Sequence, residues 1–343
     1  MSIGSNPRVT FFQRKPRATG NFSLEFIADD IRTRLRTEID ATVRVAPFLS
    51  HGLIRRLLII IDARLHRGAL NHITGDIQFA ALGTGRRATV LTVPDCGSIL
   101  AASGWRREVL RLFWLRIPVR VASIVITNSQ AAKQDVIQLS GCQPEKVRVV
   151  PVAVSDRFTY RPKEFDKSRP GILQIGTATN KNVSRLVRAL RGLSCTLVIL
   201  GPISAELERD LAENDIDFEH LQNLTEDAVL AQYERADIVA FASTHEGFGM
   251  PIVEANAVGR PVLCGDTSSM PEVARDAACL IDPYDVEDIR AGIDRIIGDD
   301  RYRDDLVMKG LENAKRYHPD TIAKMYLRIY QDLANAAHPV DAT

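Results

Sequence analysis

Two glutamates, Glu246 and Glu254, bracket two glycines, Gly247 and Gly249, in the segment ADIVAFASTHEGFGMPIVE. Glycines let backbone N–H groups approach a ligand closely, and the helix that Pro251 opens behind them adds about half a positive charge at its N-terminus. A diphosphate suits such a turn. Carboxylates beside a phosphate are repulsive unless they contact something else, and each accepts two hydrogen bonds, which suits a vicinal diol. Glu254 is then placed to hold a ribose and Glu246 the hydroxyls of a sugar. Each feature alone has a plainer account, since acidic residues at a helix start complement its dipole and G-x-G is common in turns. Their combination, after the buried-strand run 238–242 and ahead of a helix, points to an anion site.

A second segment, QIGTATNKNVSRLVRAL over residues 174–190, runs a strand into Gly176 and then a helix with Val183, Leu186, Val187 and Leu190 on its apolar face. Lys181 heads that helix. A lysine there opposes the dipole, so its presence suggests an anion to neutralise. Asn180 or Asn182 is expected to cap the same helix.

The elements that must position these residues are parallel α/β units: short β-branched runs alternate with helical patterns throughout. Expected strands are residues 9–12, 42–46, 77–82, 89–93, 123–127 and 147–152 in the first half. Residues 172–175, 196–200, 238–242, 261–264 and 278–281 continue the scheme in the second. Residues 155–170, charged and punctuated by Pro162 and Pro170, have the chemistry of a linker. Residues 319–336 carry Ile322, Met325, Tyr326, Ile329 and Tyr330 at helical spacing. The expected domains are 1–165 and 166–318, with a closing helix over 319–336 packing back toward the first. Ligand sites in two such domains lie outside the carboxyl ends of the strands, so the best-supplied site is a cleft between them.

Composition narrows the class. The chain has 343 residues, 45% hydrophobic and 25% charged, as in ordinary globular protein. Residues 1–165 hold 25 Lys and Arg against 13 Asp and Glu, and residues 166–343 hold 19 against 30, so the halves carry opposite charge. The basic half is expected to face an anionic partner. Five scattered cysteines without a C-x-x-C pair, and seven histidines without H-E-x-x-H, argue against zinc. No apolar run reaches the ~20 residues needed to span a bilayer, and arginines and a lysine crowd the N-terminus where a secretory signal would need an apolar stretch. A cytoplasmic location follows as the expectation.

THEGFGMPIVEANAVGRPVL resembles the E-x7-E signature of retaining family-4 glycosyltransferases, and GTATNKN resembles their diphosphate-contacting segment. TNSQAAKQDV, KVRVVPVAV, LTEDAVLAQYERAD and SSMPEVARDAACLIDPYDVEDI extend the likeness in order over residues 120–335, while the first hundred residues resemble the family loosely. The resemblance implies the GT-B fold, two tandem Rossmann-like doubly wound domains facing each other across a cleft. It implies transfer of a hexose-type sugar from a nucleotide-diphosphate sugar to a saccharide or lipid-linked acceptor, without metal or other cofactor. Carried over by position, Lys181, Gly176, Asn182, Met250 and the backbone of Gly247, Phe248 and Gly249 hold the donor diphosphate. Glu254 holds the ribose, Glu246 the transferred sugar, and Gly20, in RATGNFS, belongs to a loop closing over the donor. The resemblance makes 1–165 acceptor-binding and 166–318 nucleotide-sugar-binding, with Glu246 and Asp95 as the catalytic residues; Asp95 is retained beside Pro94, where relatives often have a histidine. Thr177 stands where many have an arginine, for which Arg185 is the candidate substitute. In such a mechanism no side chain acts as a strong base, because departure is driven by stabilising charge on the diphosphate. The Pro94 departure keeps a silent nucleotide- or partner-binding protein as the alternative, and a sugar-nucleotide epimerase shares the architecture.

Residues 104–120, GWRREVLRLFWLRIPVR, interleave arginines with aromatic and aliphatic residues. One reading is a helix in a membrane interface through Trp105, Arg106, Arg107, Arg111, Trp114 and Arg116. The other is an ordinary helix packing Leu110, Phe113 and Trp114 into the core. The basic charge of the first half favours the membrane, with the inner face of the cytoplasmic membrane as the surface. No nucleic-acid recognition element is visible. His72 and Asp76, in NHITGDI, are the acceptor-side candidates.

Overall fold

The computed structural model describes residues 6–16, 23–85 and 87–337, so Gly20 and its loop lie outside the described residues. The chain divides into two compact units. Unit 1 runs to Ala153 and resumes at Pro319, and unit 2 is Val154–His318.

Unit 1 is built on six parallel strands: β1 (Arg8–Gln13), β2 (Asp40–Val45), β3 (Leu70–Ile73), β4 (Ala88–Thr92), β5 (Ile124–Thr127) and β6 (Val147–Val149), in the order β2-β1-β3-β4-β5-β6. Strand residues point alternately to the two faces. Val9, Phe11, Val90, Ile124 and Ile126 enter one buried cluster. Phe12, Leu91 and Val125 enter the other. The helix Pro319–Ala337 covers the first face with Ile322, Ala323, Tyr326, Ile329 and Tyr330. Ion pairs Arg34–Asp320 (2.6 Å) and Arg148–Asp332 (3.1 Å) flank it.

Unit 2 repeats the plan with β7 (Gly171–Ile175), β8 (Thr196–Leu200), β9 (Phe218–Leu221), β10 (Ile238–Phe241), β11 (Val262–Gly265) and β12 (Cys279–Ile281), ordered β12-β11-β10-β7-β8-β9. Strand order reverses between β10 and β7, and ligands of open α/β sheets bind at such a switch point. Residues 155–170, with linker chemistry, run along unit 2. Arg157 pairs with Glu226 and Asp227, Arg161 with Glu234, and Lys163 with Asp237.

Three strand assignments differ from the sequence reading. Residues 77–82, expected as a strand, form a short 3-10 turn and the helix Ala81–Thr84. Ile77, Phe79, Ala80 and Ala81 are all buried there, and a continuous apolar run does not distinguish a buried strand from a buried helix. The real β3 holds Asn71 and His72, polar residues buried because internal partners satisfy them. Asn71 bonds Gly68 and the Ala88 carbonyl. The unforeseen β9, FEHL, is an edge strand of alternating exposure.

Candidate functional site

Three neighbouring strands of unit 2, β11, β10 and β7, end on one side of the sheet, and their following loops carry the residues singled out by the sequence. After β10 the chain passes through Ser243–Gly249 into the helix Met250–Val258, which is buried on nearly every side. That helix opens with Gly249 at φ +107, with Pro251 in its first turn. A Cβ on Gly249 would sit 3.0 Å from Ile252 Cδ1, so both conformation and space call for glycine. Phe248 is buried, its ring edge-on to Tyr317 at 5.5 Å, which anchors the turn.

After β7, Gly176 adopts φ +81, and a Cβ there would press on the Lys181 stem at 3.1 Å. The lysine crosses to the β10 loop, where Nζ lies 2.6 Å from Glu246 Oε1 and 4.8 Å from the centre of the Phe241 ring. Asn180 donates to the same carboxylate oxygen at 3.2 Å and to the His245 carbonyl at 2.9 Å. Lys181, Gly176, Glu246, Gly247 and Gly249 are thus brought together across the switch point.

Neither asparagine caps the helix Val183–Leu190 through its side chain. Asn182, buried at φ 58, donates to the Ala242 and Pro283 carbonyls at 3.0 and 2.6 Å and accepts from Arg185 at 2.7 Å. Its amide therefore ties the ends of β10 and β12 and is spent within the protein. Arg185 also lies over the Tyr284 ring at 5.5 Å, and Thr177 donates to the Pro202 carbonyl at 2.5 Å.

Glu254, in the first half of the Met250–Val258 helix, accepts a hydrogen bond from the fully buried Tyr233 hydroxyl. Burial pushes its carboxyl up to about 7, and the tyrosine bond works in the opposite direction. Met250 is half-buried at the helix start. A cavity of about 490 Å³ beside the β11 and β12 ends is lined by Asp266, Asp282, Asp288 and Tyr284 with no basic residue, so it does not suit a diphosphate.

In unit 1 the switch point lies between β1 and β3. Arg14, after β1, reaches Asp76, after β3, at 2.5 Å and Glu25 at 2.6 Å. Asp95, after β4, is exposed and accepts the Gly97 N–H at 2.8 Å. His72 is elsewhere: it is 2% exposed, with Nε2 2.8 Å from Thr92 Oγ1 and Nδ1 2.8 Å from the Tyr330 hydroxyl. Both ring nitrogens are engaged inside the core, so the histidine has no face to offer an acceptor. Burial, helped by Arg32, lowers its pKa to about 3.

The segment 104–120 is a helix with a π-helical stretch at Arg111–Arg116. Leu110 and Trp114 pack toward the core, the latter against Phe79 at 5.4 Å with Arg56 above its ring. Phe113 is half exposed and Trp105 76% exposed. Arg106, Arg107 and Arg116 are exposed, and Arg111 pairs with Glu108.

Sequence reasoning missed four residues and one helix. Asn180 reads in the sequence only as a cap. Tyr233 sits on a helix whose spacing says nothing of Glu254. Ser268 and Ser269 touch the β10 loop only through strand adjacency. The helix Leu53–His66 exposes Leu53, Ile54, Leu57 and Leu65, and the apolar residues around the whole of LIRRLLIIIDARLH were the available signal.

Among the described residues no group of His, Cys, Asp and Glu is arranged to hold a metal ion, and no helix is long and apolar enough to cross a membrane.

Residues 156–313 match the family model for glycosyl transferases group 1. Over 249 residues, 66% of this chain and 60% of the relative, the sequence is 29% identical to an MMP alpha-(1->4)-mannosyltransferase of Mycolicibacterium hassiacum. It is 25% identical to the O-antigen chain mannosyltransferase B of Escherichia coli, over 61% of each chain. The matches thus span about three fifths of these relatives. Among solved structures, a sucrose-phosphate synthase of Thermosynechococcus elongatus superposes with TM-score 0.78 at 15% identity, covering 96% of this chain and all of that one. HepE of Anabaena, solved with UDP and glucose, gives 0.77 at 19% identity over 95% and 100%. This likeness identifies the fold as GT-B, two six-stranded parallel α/β units.

Proposed function

From a chain whose residues 156–313 are a domain of the glycosyl transferases group 1 family, we propose a retaining glycosyltransferase that moves a hexose from a nucleoside-diphosphate sugar to a saccharide or lipid-linked acceptor in surface polysaccharide or glycolipid synthesis. The observation that carries this reading is the meeting of Lys181 and Glu246 beside the glycine turn at the N-terminus of the Met250–Val258 helix. Cation, backbone amides and helix dipole together favour the negative charge that builds on a departing diphosphate. The carboxylate that holds Lys181 has oxygens suited to sugar hydroxyls once phosphate takes the lysine. In this reading Glu254 receives the ribose, Asp95 remains a catalytic candidate and Asp76 an acceptor-side one, both in unit 1.

Two mannosyltransferases among the relatives make mannose the first sugar to test, and the UDP held by the structural neighbour makes uracil the first base. The experiment is transfer and donor hydrolysis by purified protein over GDP- and UDP-sugars, with the product anomer read by NMR. Glu246→Ala and Lys181→Ala should each lower the rate by about 10²-fold or more. Unchanged rates in both variants, or an inverted anomer, would overturn the assignment.

A separate observation supports an anionic membrane surface as partner of unit 1. The exposed apolar residues Leu53, Ile54, Leu57 and Leu65, with Arg55 and Arg64, lie on a helix joined to the Trp105 helix through the Arg56–Trp114 contact. Apolar insertion and basic attraction, about 1 kcal/mol per arginine near anionic lipid, act together there. Co-sedimentation with phosphatidylglycerol vesicles should fall when Arg106, Arg107 and Arg111 are neutralised and again when Leu53 and Ile54 become serine. Insensitivity to both sets removes the membrane reading and leaves the enzyme reading intact.

A further inference from the structure

The loop after β11, residues 266–269, lies beside the Glu246–Gly249 turn because β11 and β10 are neighbours in register. Ser268 Oγ donates to the Glu246 carbonyl at 2.6 Å and accepts the Glu246 N–H at 3.3 Å. Ser269 Oγ, fully buried, lies 2.9 Å from the Glu246 carbonyl oxygen and 2.8 Å from that of Phe248. We propose that Ser268 and Ser269 are positioning residues for the donor diphosphate, acting through the peptide planes of the turn and not by touching the donor. This rests on the reading of that turn as the diphosphate site.

A trans peptide unit is planar, so its C=O and the following N–H point in opposite directions. Binding the carbonyls of residues 246 and 248 to the serine loop directs the amides of residues 247 and 249 to the other side. It also turns two negative carbonyl ends away from an incoming anion. Both consequences favour phosphate.

The two serines depart from what their own segment would prefer. Ser269 stands at the N-cap of the helix Met270–Ala274, where a serine hydroxyl ordinarily accepts from a helix amide, yet it makes no such bond. Ser268 holds φ 57, a left-handed conformation that costs a non-glycine residue about 1 kcal/mol or more. Glycine at 268 and a self-capping hydroxyl at 269 would serve the loop better locally. Service to the neighbouring turn accounts for both departures.

The test uses the full chain with Ser268→Gly and Ser269→Ala, each titrated calorimetrically with GDP, UDP and the nucleosides guanosine and uridine, with Tm measured in parallel. Ser268→Gly relieves the left-handed strain, so its Tm should hold or rise while its diphosphate affinity falls by about tenfold. Ser269→Ala should show the same selective loss. Nucleoside affinity should stay within twofold in both. Diphosphate affinity unchanged in both variants, or nucleoside and diphosphate affinities falling together, overturns the positioning role. If the wild-type protein binds neither diphosphate, the proposed function falls and takes this inference with it. Wild-type binding beside unaffected variants sinks this inference alone.

Discussion

The Lys181 ammonium lies 2.6 Å from Glu246 Oε1, joining the loop after β7 to the loop after β10, 65 residues further along the chain. Lys181→Met keeps the stem that packs under Gly176 and Phe241 and removes only the charge. Glu246 is then held by Asn180 alone, so we expect a stability loss of about 1–3 kcal/mol by urea unfolding. Transfer should fall by about 10²-fold or more, with the loss in kcat. A variant with full activity would show that the ion pair is only a structural tie.

Gly249→Ala tests the turn itself. At φ +107, with Ile252 Cδ1 3.0 Å from the added carbon, alanine is strained in both conformation and contact. A cost of about 1–3 kcal/mol in denaturant unfolding is expected, with weakened diphosphate binding in the fraction that folds.

Glu254 makes unit 2 sensitive to pH in one direction. Its folded pKa of about 7 exceeds the ordinary 4.5, so the folded state holds a proton that the unfolded chain has released between those values. Stability from this group is full below pH 4.5 and is lost as pH rises through 7. Glu254→Gln should flatten that decline and gain on the order of 2–3 kcal/mol relative to wild type at pH 8. The same variant should weaken nucleotide binding above pH 7, where the carboxylate is the better acceptor for a ribose diol. Identical Tm profiles from pH 5 to 8 in both proteins would contradict this account.

His72 acts in the opposite direction in unit 1. Its pKa is lowered from 6.5 to about 3, so the unfolded chain takes up a proton first and stability is lost as pH falls below 6.5. His72→Phe removes the titrating group but strands the Tyr330 hydroxyl and Thr92. We expect it to be less stable at pH 7 by about 1–3 kcal/mol and to lose less stability on acidification toward pH 4. Parallel acid profiles for the two proteins would remove the histidine from the account.

What could be read along the chain was local. Alternating β-branched runs and helical spacings announced parallel α/β units, because period and turn chemistry belong to neighbouring residues. The glycine turn between Glu246 and Glu254 was legible for the same reason: a strand, a tight loop and a helix start are one continuous segment. Local reading failed where partners are distant. Residues 77–82 are equally apolar as strand or helix, and the fold makes them a 3-10 turn and a short helix. His72 reads in the sequence as an acceptor-side candidate, but Thr92 and Tyr330, 20 and 258 residues away, occupy its ring nitrogens.

By itself the sequence determined which residues are apolar, where the backbone needs glycine, and that two carboxylates bracket the glycine turn. Tertiary structure decided how each polar group is used. Lys181 meets Glu246 because β7 and β10 pair, Asn182 is spent on two carbonyls, and Tyr233 reaches Glu254 from another helix. A side chain's hydrogen-bond partner and the water removed from around it depend on which strands become neighbours, and strand order joins residues that have no spacing in common.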